Sequence, residues 1–359
     1  MSVKNLHPGV ELNIILSSNN ITQRDFAAKI GITLSLLNSI LKGSRNLTVN
    51  IAISLEAAGY GKATEWMNRQ IDYLIKEKKS DEEFSKKTDD ITTFKEIENL
   101  VPIHYFKREG ILKSDIVTDI NTIYDIYKVS DLAELKRKIS DYNFKHFRKS
   151  SAFAESKNNV IAWSMLAEYK AREIKTKVFD KTKELELIDE LKKCFFKNKD
   201  TISESKKILT KYGIKFFPLD RPEKTPVDGK SFMSGDIPTI VLSLKYNRLD
   251  NFAFTLMHEL GHVFLHLTQS KYKNDSFFVN TSNTEKEEFE ANNYAKDHLI
   301  NQEVWDDFIF SHEEYNDKIM LELSKKIKVH PGIIRGRICF QYPEYYSKRS
   351  VINKKNLLK

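Results

Sequence analysis

The pentapeptide HELGH at residues 258–262 limits the possible folds of this chain more than any other segment does. Two histidines four positions apart lie on one face of an α-helix, with Cβ atoms about 5–6 Å apart, so both can reach one metal ion. Glu259 lies one position round the helix, where it can act as general base on an activated water without binding the metal. The segment therefore predicts a buried helix with His258 and His262 as metal ligands and Glu259 as catalytic base.

A third metal ligand has to come from elsewhere in the chain. His266 continues the spacing, but the eight residues from His258 span about 12 Å of helix, which is too far for one ion. We therefore expect His266 to support the site and a carboxylate to complete it. The next predicted helix, EKEEFEANNYAKDHL, offers four glutamates, namely Glu285, Glu287, Glu288 and Glu290. Spacing alone leaves Glu287 and Glu290 as alternatives.

Length and composition exclude several classes of protein. The 359 residues are enough for two or three domains, and they contain no run of apolar residues long enough to predict a membrane helix. The first residues lack the apolar part of a signal segment, and Cys194 and Cys339 are too few for a disulfide framework. The net charge of +8 permits contact with nucleic acid without requiring it. We expect a soluble cytoplasmic protein with no membrane partner.

Residues 1–79 have the pattern of a compact helical domain. Thr22 precedes a segment with an acid in its first turn, as a helix N-cap residue does. Gly31 marks a short turn, Thr33 can cap the following helix, and Gly43 suits the left-handed conformation that ends a helix. Two helices separated by a turn of about three residues have the spacing of a helix-turn-helix. We predict such a domain over residues 1–79.

The rest of the chain divides into three predicted parts. Residues 78–92 are densely charged and predict a solvated linker or a domain boundary, and residues 80–200 form a middle region with helical periodicity. Residues 201–345 combine short strands, including TIVLSL at 239–244, with the HELGH helix and a second helix. Residues 346–359 predict a basic, solvated and mobile tail. The predicted fold class is mainly α, with an α+β C-terminal part.

HELGHVFLH followed by EFEANNYAKDHLI resembles the ImmA/IrrE metallopeptidase family, whose pattern is HELGH…LH and then E-A-N-x-x-A-x-x-L. The resemblance implies a zincin-like domain over residues 201–345 with Zn²⁺ as cofactor. It also implies that the third ligand is the glutamate of the EAN sequence, which is Glu290 here. Tyr294, one helical turn further on, is a candidate for stabilising the oxyanion of a tetrahedral intermediate.

The N-terminal segments TQRDFAAKIGIT and SILKGSRNLT resemble the XRE-type helix-turn-helix of HigA-like antitoxins. Together the two resemblances imply a zinc-dependent transcriptional regulator that binds operator DNA and cleaves a cognate repressor or regulatory protein. In this hypothesis an extended substrate pairs with the main chain of strand 239–244. The alternative is a non-catalytic repressor or antitoxin of a toxin–antitoxin pair, with a structural or regulatory metal. The expected partners are operator DNA, a repressor or toxin protein, and a second copy of the chain in a homodimer.

The predicted recognition helix carries few polar side chains that could read DNA. The side chains proposed to contact bases or phosphates are Gln23, Arg24, Thr33, Ser35, Asn38, Lys42 and Arg45. Leu34 and Leu36 occupy positions where such domains often carry polar residues. Ten lysines and arginines against six acids give residues 1–80 a net charge of +4, which is modest for a DNA-binding domain. The alternative is a helix-turn-helix that contacts a protein through Leu34 and Leu36.

Overall fold

The computed structural model describes residues 6–142, 151–272, 276–279 and 286–359. The chain divides into two compact units, an N-terminal unit that ends at Phe94 and a C-terminal unit that begins at Lys95. Each unit has its own core of buried apolar side chains. None of the helices in the described ranges is long and apolar enough to cross a membrane.

The N-terminal unit contains the predicted helix-turn-helix. Its helices are α1 (Pro8–Ser18), α2 (Gln23–Lys29), α3 (Leu34–Leu41), α4 (Val49–Ala57) and α5 (Ala63–Lys79). Thr22 caps α2 and Thr33 caps α3, each hydroxyl oxygen accepting a backbone N–H of the first turn. Phe26 of α2 and Leu37 of α3 are fully buried in the core of this unit. The apolar spacing and the two caps thus produce the helix-turn-helix that the sequence predicts.

The charged segment predicted as a linker is helical instead. Helix α6 (Glu82–Glu98) covers most of residues 78–92 and extends beyond them. Asp81 accepts the backbone N–H of Phe84 at 3.2 Å, and two acids in the first turn favour the positive end of the helix dipole. The segment contains neither proline nor glycine, so its charged residues are compatible with an exposed helix. The boundary between the two units falls within α6.

The C-terminal unit joins the helical middle region and the strand-containing part in one compact body. Its helices before the first strand are α7 (Ile103–Arg108), α8 (Ile116–Tyr127), α9 (Leu132–Ser140), α10 (Ser151–Ala171), α11 (Glu184–Lys197) and α12 (Thr201–Lys211). The later helices are α13 (Leu249–Gly261), α14 (Lys286–Leu299), α15 (Gln302–Phe310), α16 (Asp317–Ile327), α17 (Pro331–Gln341) and α18 (Ile352–Lys355). A π-helical turn, His262–Leu267, continues α13.

Four strands of the described residues form one sheet in the order β1-β3-β2-β4. The strands are β1 (Lys215–Pro218), β2 (Gly229–Ser234), β3 (Ile237–Leu242) and β4 (Ser276–Val279). Strand β1 is parallel to β3, whereas β2 is antiparallel to both β3 and β4. The predicted strand 239–244 corresponds to β3, which has a neighbour on each side. Its main chain is therefore already paired, and the prediction that a substrate strand binds there is wrong.

Helices α13 and α14 pack against each other and hold the HELGH motif over the sheet. Gly261 permits this close approach, because a Cβ atom at that position would lie 3.0 Å from the Cα of Ala291. Leu256 and Leu260 of α13 and Ala295 of α14 are fully buried in the core. The packing fixes the rotation of α14 relative to α13, and this rotation decides which acids face the histidines.

The C-terminal tail is packed, contrary to the prediction that residues 346–359 are solvated and mobile. Ile352 is fully buried and Asn356 is 1% exposed. The Asn356 side-chain oxygen accepts the backbone N–H of Asp250 at 3.0 Å, and its carbonyl accepts that of Leu249 at 2.8 Å. The tail therefore closes the first turn of α13. The prediction was based on the basic composition of the segment and did not consider Ile352 and Asn356, which anchor it.

Candidate metal centre and DNA-binding surface

Three side chains from two helical segments meet at the HELGH motif. The Nε2 atoms of His258 and His262 lie 3.0 Å apart. Glu288, in the first turn of α14, places its carboxylate oxygens 3.4 Å from His258 Nε2 and 3.2 Å from His262 Nε2. Within the described ranges, these three groups offer ligand atoms that all lie within 4.8 Å of one another. The structure thus brings the two predicted histidines together and adds Glu288 to them.

The structure places Glu290, the predicted third ligand, outside this cluster. Glu288 and Glu290 point about 200° apart around α14, so only one of them can face α13. The close contact of Ala291 with Gly261 turns Glu288 inward. Glu288 is 8% exposed as a residue, whereas the side chain of Glu290 is 38% exposed. The carboxylate that lies against the two histidines is therefore that of Glu288 and not that of the predicted Glu290.

The other glutamates of this segment have different surroundings. Glu287, the alternative to Glu290 in the spacing argument, accepts a hydrogen bond from the Tyr272 hydroxyl at 2.5 Å. Glu285 lies outside the described residues. Glu290 lies 3.0 Å from His266 Nε2, and this hydrogen bond lowers the pKa of Glu290. Glu290 is thus connected to the metal cluster through His266 without being part of it.

Hydrogen bonds behind the two histidines decide which ring nitrogen can bind a metal. His258 Nδ1 lies 3.0 Å from the side-chain oxygen of Asn292, so Nδ1 carries the proton and Nε2 keeps its lone pair. His266 contacts Glu290 through Nε2 at 3.0 Å and the Nδ1 of His262 through its own Nδ1 at 3.1 Å. Where His262 donates this hydrogen bond from Nδ1, its Nε2 keeps the lone pair that can bind a metal. His266 supports a ligand and is not one itself.

Burial and the contacts within the cluster give it the protonation state that metal binding requires. His262 is fully buried, and burial lowers its pKa to about 3 although the Glu288 carboxylate lies 3.2 Å away. Burial raises the pKa of Glu288, but the two imidazoles beside its carboxylate outweigh this effect and hold the pKa at about 2. At neutral pH His262 is uncharged and Glu288 is ionised, as metal ligands must be.

The three groups fit a zinc ion in composition and in spacing. Zinc binds histidine nitrogen and carboxylate oxygen at about 2.0–2.2 Å, so two ligand atoms of a tetrahedral site lie about 3.3 Å apart. The separations here are 3.0 Å between the two nitrogens and 3.2 and 3.4 Å from nitrogen to carboxylate oxygen. Three protein ligands leave the fourth position for water or substrate, as in catalytic zinc sites. The cluster can therefore hold a metal ion in a catalytic arrangement.

The side chain of Glu259 is fully buried, and its carboxylate lies against β2. A Cβ atom at Gly229 would come within 2.5 Å of a Glu259 carboxylate oxygen and within 2.9 Å of the Leu242 side chain. Only glycine leaves room for the carboxylate at this point of the strand. No sequence pattern marks Gly229, because its role depends on a contact between segments far apart in the chain.

A buried ion pair lies on the same strand as Gly229. Lys230 is fully buried, and its ammonium donates to Glu168 at 2.9 Å and to the Ser164 hydroxyl at 2.6 Å. Burial lowers the pKa of Lys230, while the charges of Glu168 and Glu259 raise it. Burial raises the pKa of Glu168, but Lys230 outweighs this and holds it at about 2. No sequence motif predicted this pair, which fixes β2 beside the predicted base.

Tyr294, the predicted oxyanion stabiliser, is directed elsewhere. Its hydroxyl donates to Glu184 of α11 at 2.7 Å, and its ring packs edge-to-face on His298 with centroids 4.2 Å apart. Burial raises the pKa of Tyr294, and the hydrogen bond with Glu184 raises it further. In the structure this hydroxyl joins α14 to α11, so the predicted role at the metal cluster has no geometric support.

In the N-terminal unit, α3 presents a polar face with a groove. The side chains predicted to contact DNA are exposed or half-buried, namely Gln23, Arg24, Thr33, Ser35, Asn38, Lys42 and Arg45. A surface groove of about 530 Å³ is lined by Leu34, Ser35, Asn38, Ser39, Lys42 and Ser44. Three of the predicted contacts, Ser35, Asn38 and Lys42, therefore share one groove. The oxygen of Thr33 already accepts the backbone N–H of Leu36 in the helix cap.

The two leucines of α3 differ in their surroundings. Leu34 is 39% exposed and lines the groove, whereas Leu36 is half-buried and packs against the core of the N-terminal unit. Leu36 therefore has a structural role, and Leu34 is the apolar residue that a partner would meet. The alternative hypothesis, a helix that contacts a protein through both leucines, is weakened because only Leu34 of the two is exposed.

Two family models match the chain. Residues 209–338 match the model of peptidase family M78, described as the IrrE N-terminal-like domain. Residues 15–58 match the model of a helix-turn-helix. Neither the curated proteins nor the solved structures contain a significant match. The two matches confirm the predicted arrangement, in which a helix-turn-helix precedes an IrrE-like part, and both functional regions described above lie within them.

Proposed function

We propose that this chain, in which an IrrE-like part follows a helix-turn-helix, is a zinc-dependent peptidase-type transcriptional regulator of the cytoplasm. The helix-turn-helix binds operator DNA, and the metal site cleaves a repressor or another regulatory protein. The observation that carries the proposal is the convergence of His258, His262 and Glu288, with Glu259 in the adjacent position of the same helix. This combination matches the requirements of metal-assisted hydrolysis.

In this proposal the residues of the site have three roles, namely metal ligand, general base and support of a ligand. His258, His262 and Glu288 hold Zn²⁺, which when bound supplies the Lewis acidity that polarises the scissile carbonyl and activates water. Glu259 takes the proton of the attacking water and passes it to the leaving amine. Asn292 and His266 keep the two imidazoles in the tautomer that binds metal. Burial of Glu259 keeps this proton transfer away from bulk water.

The position of β4 at an edge of the sheet supports the proposal that the substrate binds there as an extended strand. Among the strands of the described residues, β4 lies at an end of the sheet and can accept an additional extended strand. Phe277 of β4 stacks on the His262 ring, with centroids 4.4 Å apart and planes at 14°. Val279 of β4 pairs with Gly229, the residue against the Glu259 carboxylate. A peptide paired with β4 would thus lie next to the strand that contacts the predicted ligand His262, with β4 between the peptide and the strand against Glu259.

The groove of α3 supports DNA binding by the N-terminal unit. Ser35 and Asn38 offer the hydrogen-bonding groups that read bases, and Lys42 and Arg45 offer charges for phosphates. The net charge of +4 on residues 1–80 is in the direction that DNA binding needs. Operator binding and proteolysis would then be properties of different units of one chain.

The substitution Glu259→Gln tests the peptidase part of the proposal. Removing the base should lower the cleavage rate by about 10²–10⁴-fold, while the zinc content and operator binding stay at wild-type values. Cleavage of any regulatory protein that is encoded in a neighbouring reading frame is followed by mass spectrometry. Glu303→Gln, which changes an exposed glutamate of α15, is the matched control and should keep full activity.

A different outcome favours the second class of function. If wild type and Glu259→Gln both leave every tested regulator intact, and both bind the operator tightly and with the same salt dependence, the peptidase proposal is wrong. The exposed groove of α3 would then be the functional surface, and the chain would act as a non-catalytic repressor or antitoxin with a structural metal.

A further inference from the structure

A second cavity of about 430 Å³ opens between α13, α14, α17 and the segment at Tyr346. Its walls include the apolar side chains of Phe254, Ile333 and Phe340. The Phe254 ring also faces His258, with centroids 6.3 Å apart. The cavity thus shares two helices with the metal cluster but contains none of its ligands. Its volume lies in the range of sites for small molecules, about 300–1,000 Å³.

The cavity also contains more positive than negative charge. Of its cations, Arg248 is paired with Asp250, Nε to carboxylate oxygen, at 3.0 Å. Lys296 and Arg337 line the same cavity, and within the described part of the chain neither forms an ion pair with a carboxylate. Asp250 is the single acid among the lining residues of this cavity in the described ranges, so Lys296 and Arg337 have no carboxylate partner within the cavity wall.

The guanidinium of Arg337 is fixed by hydrogen bonds and by an aromatic ring. It donates to the carbonyls of Lys296 and Ile300 at 3.1 and 2.8 Å and to the Gln302 side chain at 2.7 Å. It also stacks on the Trp305 ring, 4.4 Å from the centroid. These contacts use part of the five N–H donors of the guanidinium and leave others for an anion.

The two cations act on each other in an apolar environment. Burial lowers the pKa of Lys296, and the charge of Arg337 lowers it further. Burial also lowers the pKa of Arg337 to about 10, while Asp306 and Asp297 act in the opposite direction from a distance. Two like charges held near each other among apolar side chains are stabilised by an anion between them.

We propose that this cavity binds a small organic carboxylate with an apolar body. Lys296 and Arg337 bind the carboxylate, and Phe254, Ile333 and Phe340 contact the apolar part. A carboxylate suits the planar donors of arginine and the point charge of lysine. The apolar walls exclude a small, fully hydrated anion as the preferred ligand. This site does not depend on peptide cleavage, because none of its residues belongs to the metal cluster.

Octanoate is the probe, and 1-octanol and octylammonium are controls of the same chain length. Binding to the full chain is measured by isothermal titration calorimetry and by tryptophan fluorescence, since one of the three tryptophans, Trp305, lies against Arg337. We expect saturable binding of octanoate, with one site per chain. We expect octanol and octylammonium to bind at least about tenfold more weakly. Octanol cannot form a charged hydrogen bond with the two cations, and the positive charge of octylammonium is repelled by them.

Two substitutions locate the site. Lys296→Met should weaken octanoate binding at least about tenfold, because it removes the charge but keeps the length of the side chain. Lys192→Met changes another half-buried lysine of the C-terminal unit and should leave binding unchanged. Phe340→Ser removes an exposed apolar wall, so it preserves the fold and should weaken octanol binding. Octanoate binding should be weakened at least as much, because the Phe340 ring also lies 5.9 Å from the Lys296 ammonium.

Three results would overturn the proposal. The first is the absence of saturable octanoate binding. The second is equal affinity for octanoate and octanol, which would show that the cations do not contribute. The third is equal affinity of wild type and Lys296→Met, with Lys296→Met shown to be folded by its circular dichroism and its zinc content.

Discussion

The metal cluster and the groove of α3 differ in how firmly the fold fixes their side chains. At the metal cluster, each ligand imidazole is buried and hydrogen-bonded to a residue behind it. In the groove of α3, the predicted contacts are mostly exposed and belong to one short helix. The chemistry of the cluster therefore follows from the structure of the chain alone, whereas the chemistry of the groove is completed by its partner. Single substitutions at the cluster should therefore cause large losses of cleavage or zinc binding. Single substitutions in the groove should cause smaller changes of DNA affinity.

The largest effect short of removing a ligand or the base is expected from Gly229→Ala. The new Cβ atom would lie 2.5 Å from a Glu259 carboxylate oxygen, so the carboxylate has to move. A displacement of about 1 Å can cost about 100-fold in rate, and we expect a loss of cleavage of that size with zinc content unchanged. Gly235→Asn is the control, because nothing lies within 4 Å of that position and asparagine tolerates its φ of 67°. Full activity of Gly229→Ala would show that Glu259 is not confined as described.

The next effect concerns the residue behind His258. Asn292→Ala removes the oxygen that accepts from His258 Nδ1, and loss of such a partner typically weakens metal binding about 10–100-fold. Zinc affinity is measured by competition with a chromophoric chelator. Asn293→Ala, at the exposed neighbouring position, should retain wild-type affinity. Equal weakening by both substitutions would indicate a general loss of helix stability rather than the loss of an oriented ligand.

In the groove of α3 we expect smaller effects that depend on the solution conditions. Asn38→Ala should lower discrimination between operator and random DNA by about 1–3 kcal/mol, because a base contact is lost. Lys42→Ala should weaken the binding of operator DNA and of random DNA equally, because a phosphate contact is lost. It should also reduce the slope of log affinity against log salt concentration by about 0.9. Lys62→Ala, an exposed lysine that does not line the groove, is the control. Filter-binding titrations at several salt concentrations measure these quantities. An unchanged slope for Lys42→Ala would remove it from the DNA contacts.

The smallest effect expected is a dependence of stability on pH in the zinc-free protein. The folded pKa of His262 is about 3, below its unfolded value of 6.5, so the unfolded state binds the extra proton first as the pH falls. The stabilising contribution is present above pH 6.5 and is lost progressively between pH 6.5 and pH 3. From pH 7.5 to pH 5.5 this group alone should lower the free energy of unfolding by about 1 kcal/mol.

Urea unfolding of zinc-free protein at the two pH values measures this difference. His262→Gln should lose the part of the pH dependence that His262 contributes. His104→Gln changes an exposed histidine of α7 and should behave like wild type. If His262→Gln and wild type lose the same stability on acidification, burial of a neutral His262 is not the cause.

The sequence predicted the parts of the site that one helix determines. His258, Glu259 and His262 follow from helical periodicity alone, and the caps at Thr22 and Thr33 follow from local chemistry. The carboxylate ligand could not be predicted in this way, because the rotation of α14 depends on the contact of Gly261 with a residue 30 positions later. The spacing argument and the family resemblance both named an acid of the correct helix but not the one that faces the histidines.

The same reason explains the other corrections. The strand 239–244 was predicted as a strand, but its interior position depends on pairing with β1 and β2. The tail was predicted to be solvated because its charge is visible in the sequence, whereas the burial of Ile352 depends on the surface that receives it. Residues 78–92 lack the apolar stripe that marks a packed helix, yet they lack helix-breaking residues as well.

The central claim is that Glu288, and not Glu290, completes the metal site, and metal analysis of two alanine variants tests it most directly. Wild type, Glu288→Ala and Glu290→Ala are loaded with zinc, dialysed against a weak chelator and analysed by mass spectrometry. We expect near-stoichiometric zinc in wild type and in Glu290→Ala, because Glu290 contacts His266 and Lys286 but none of the three clustered groups, and almost none in Glu288→Ala. Retention of zinc by Glu288→Ala together with its loss from Glu290→Ala would contradict the account.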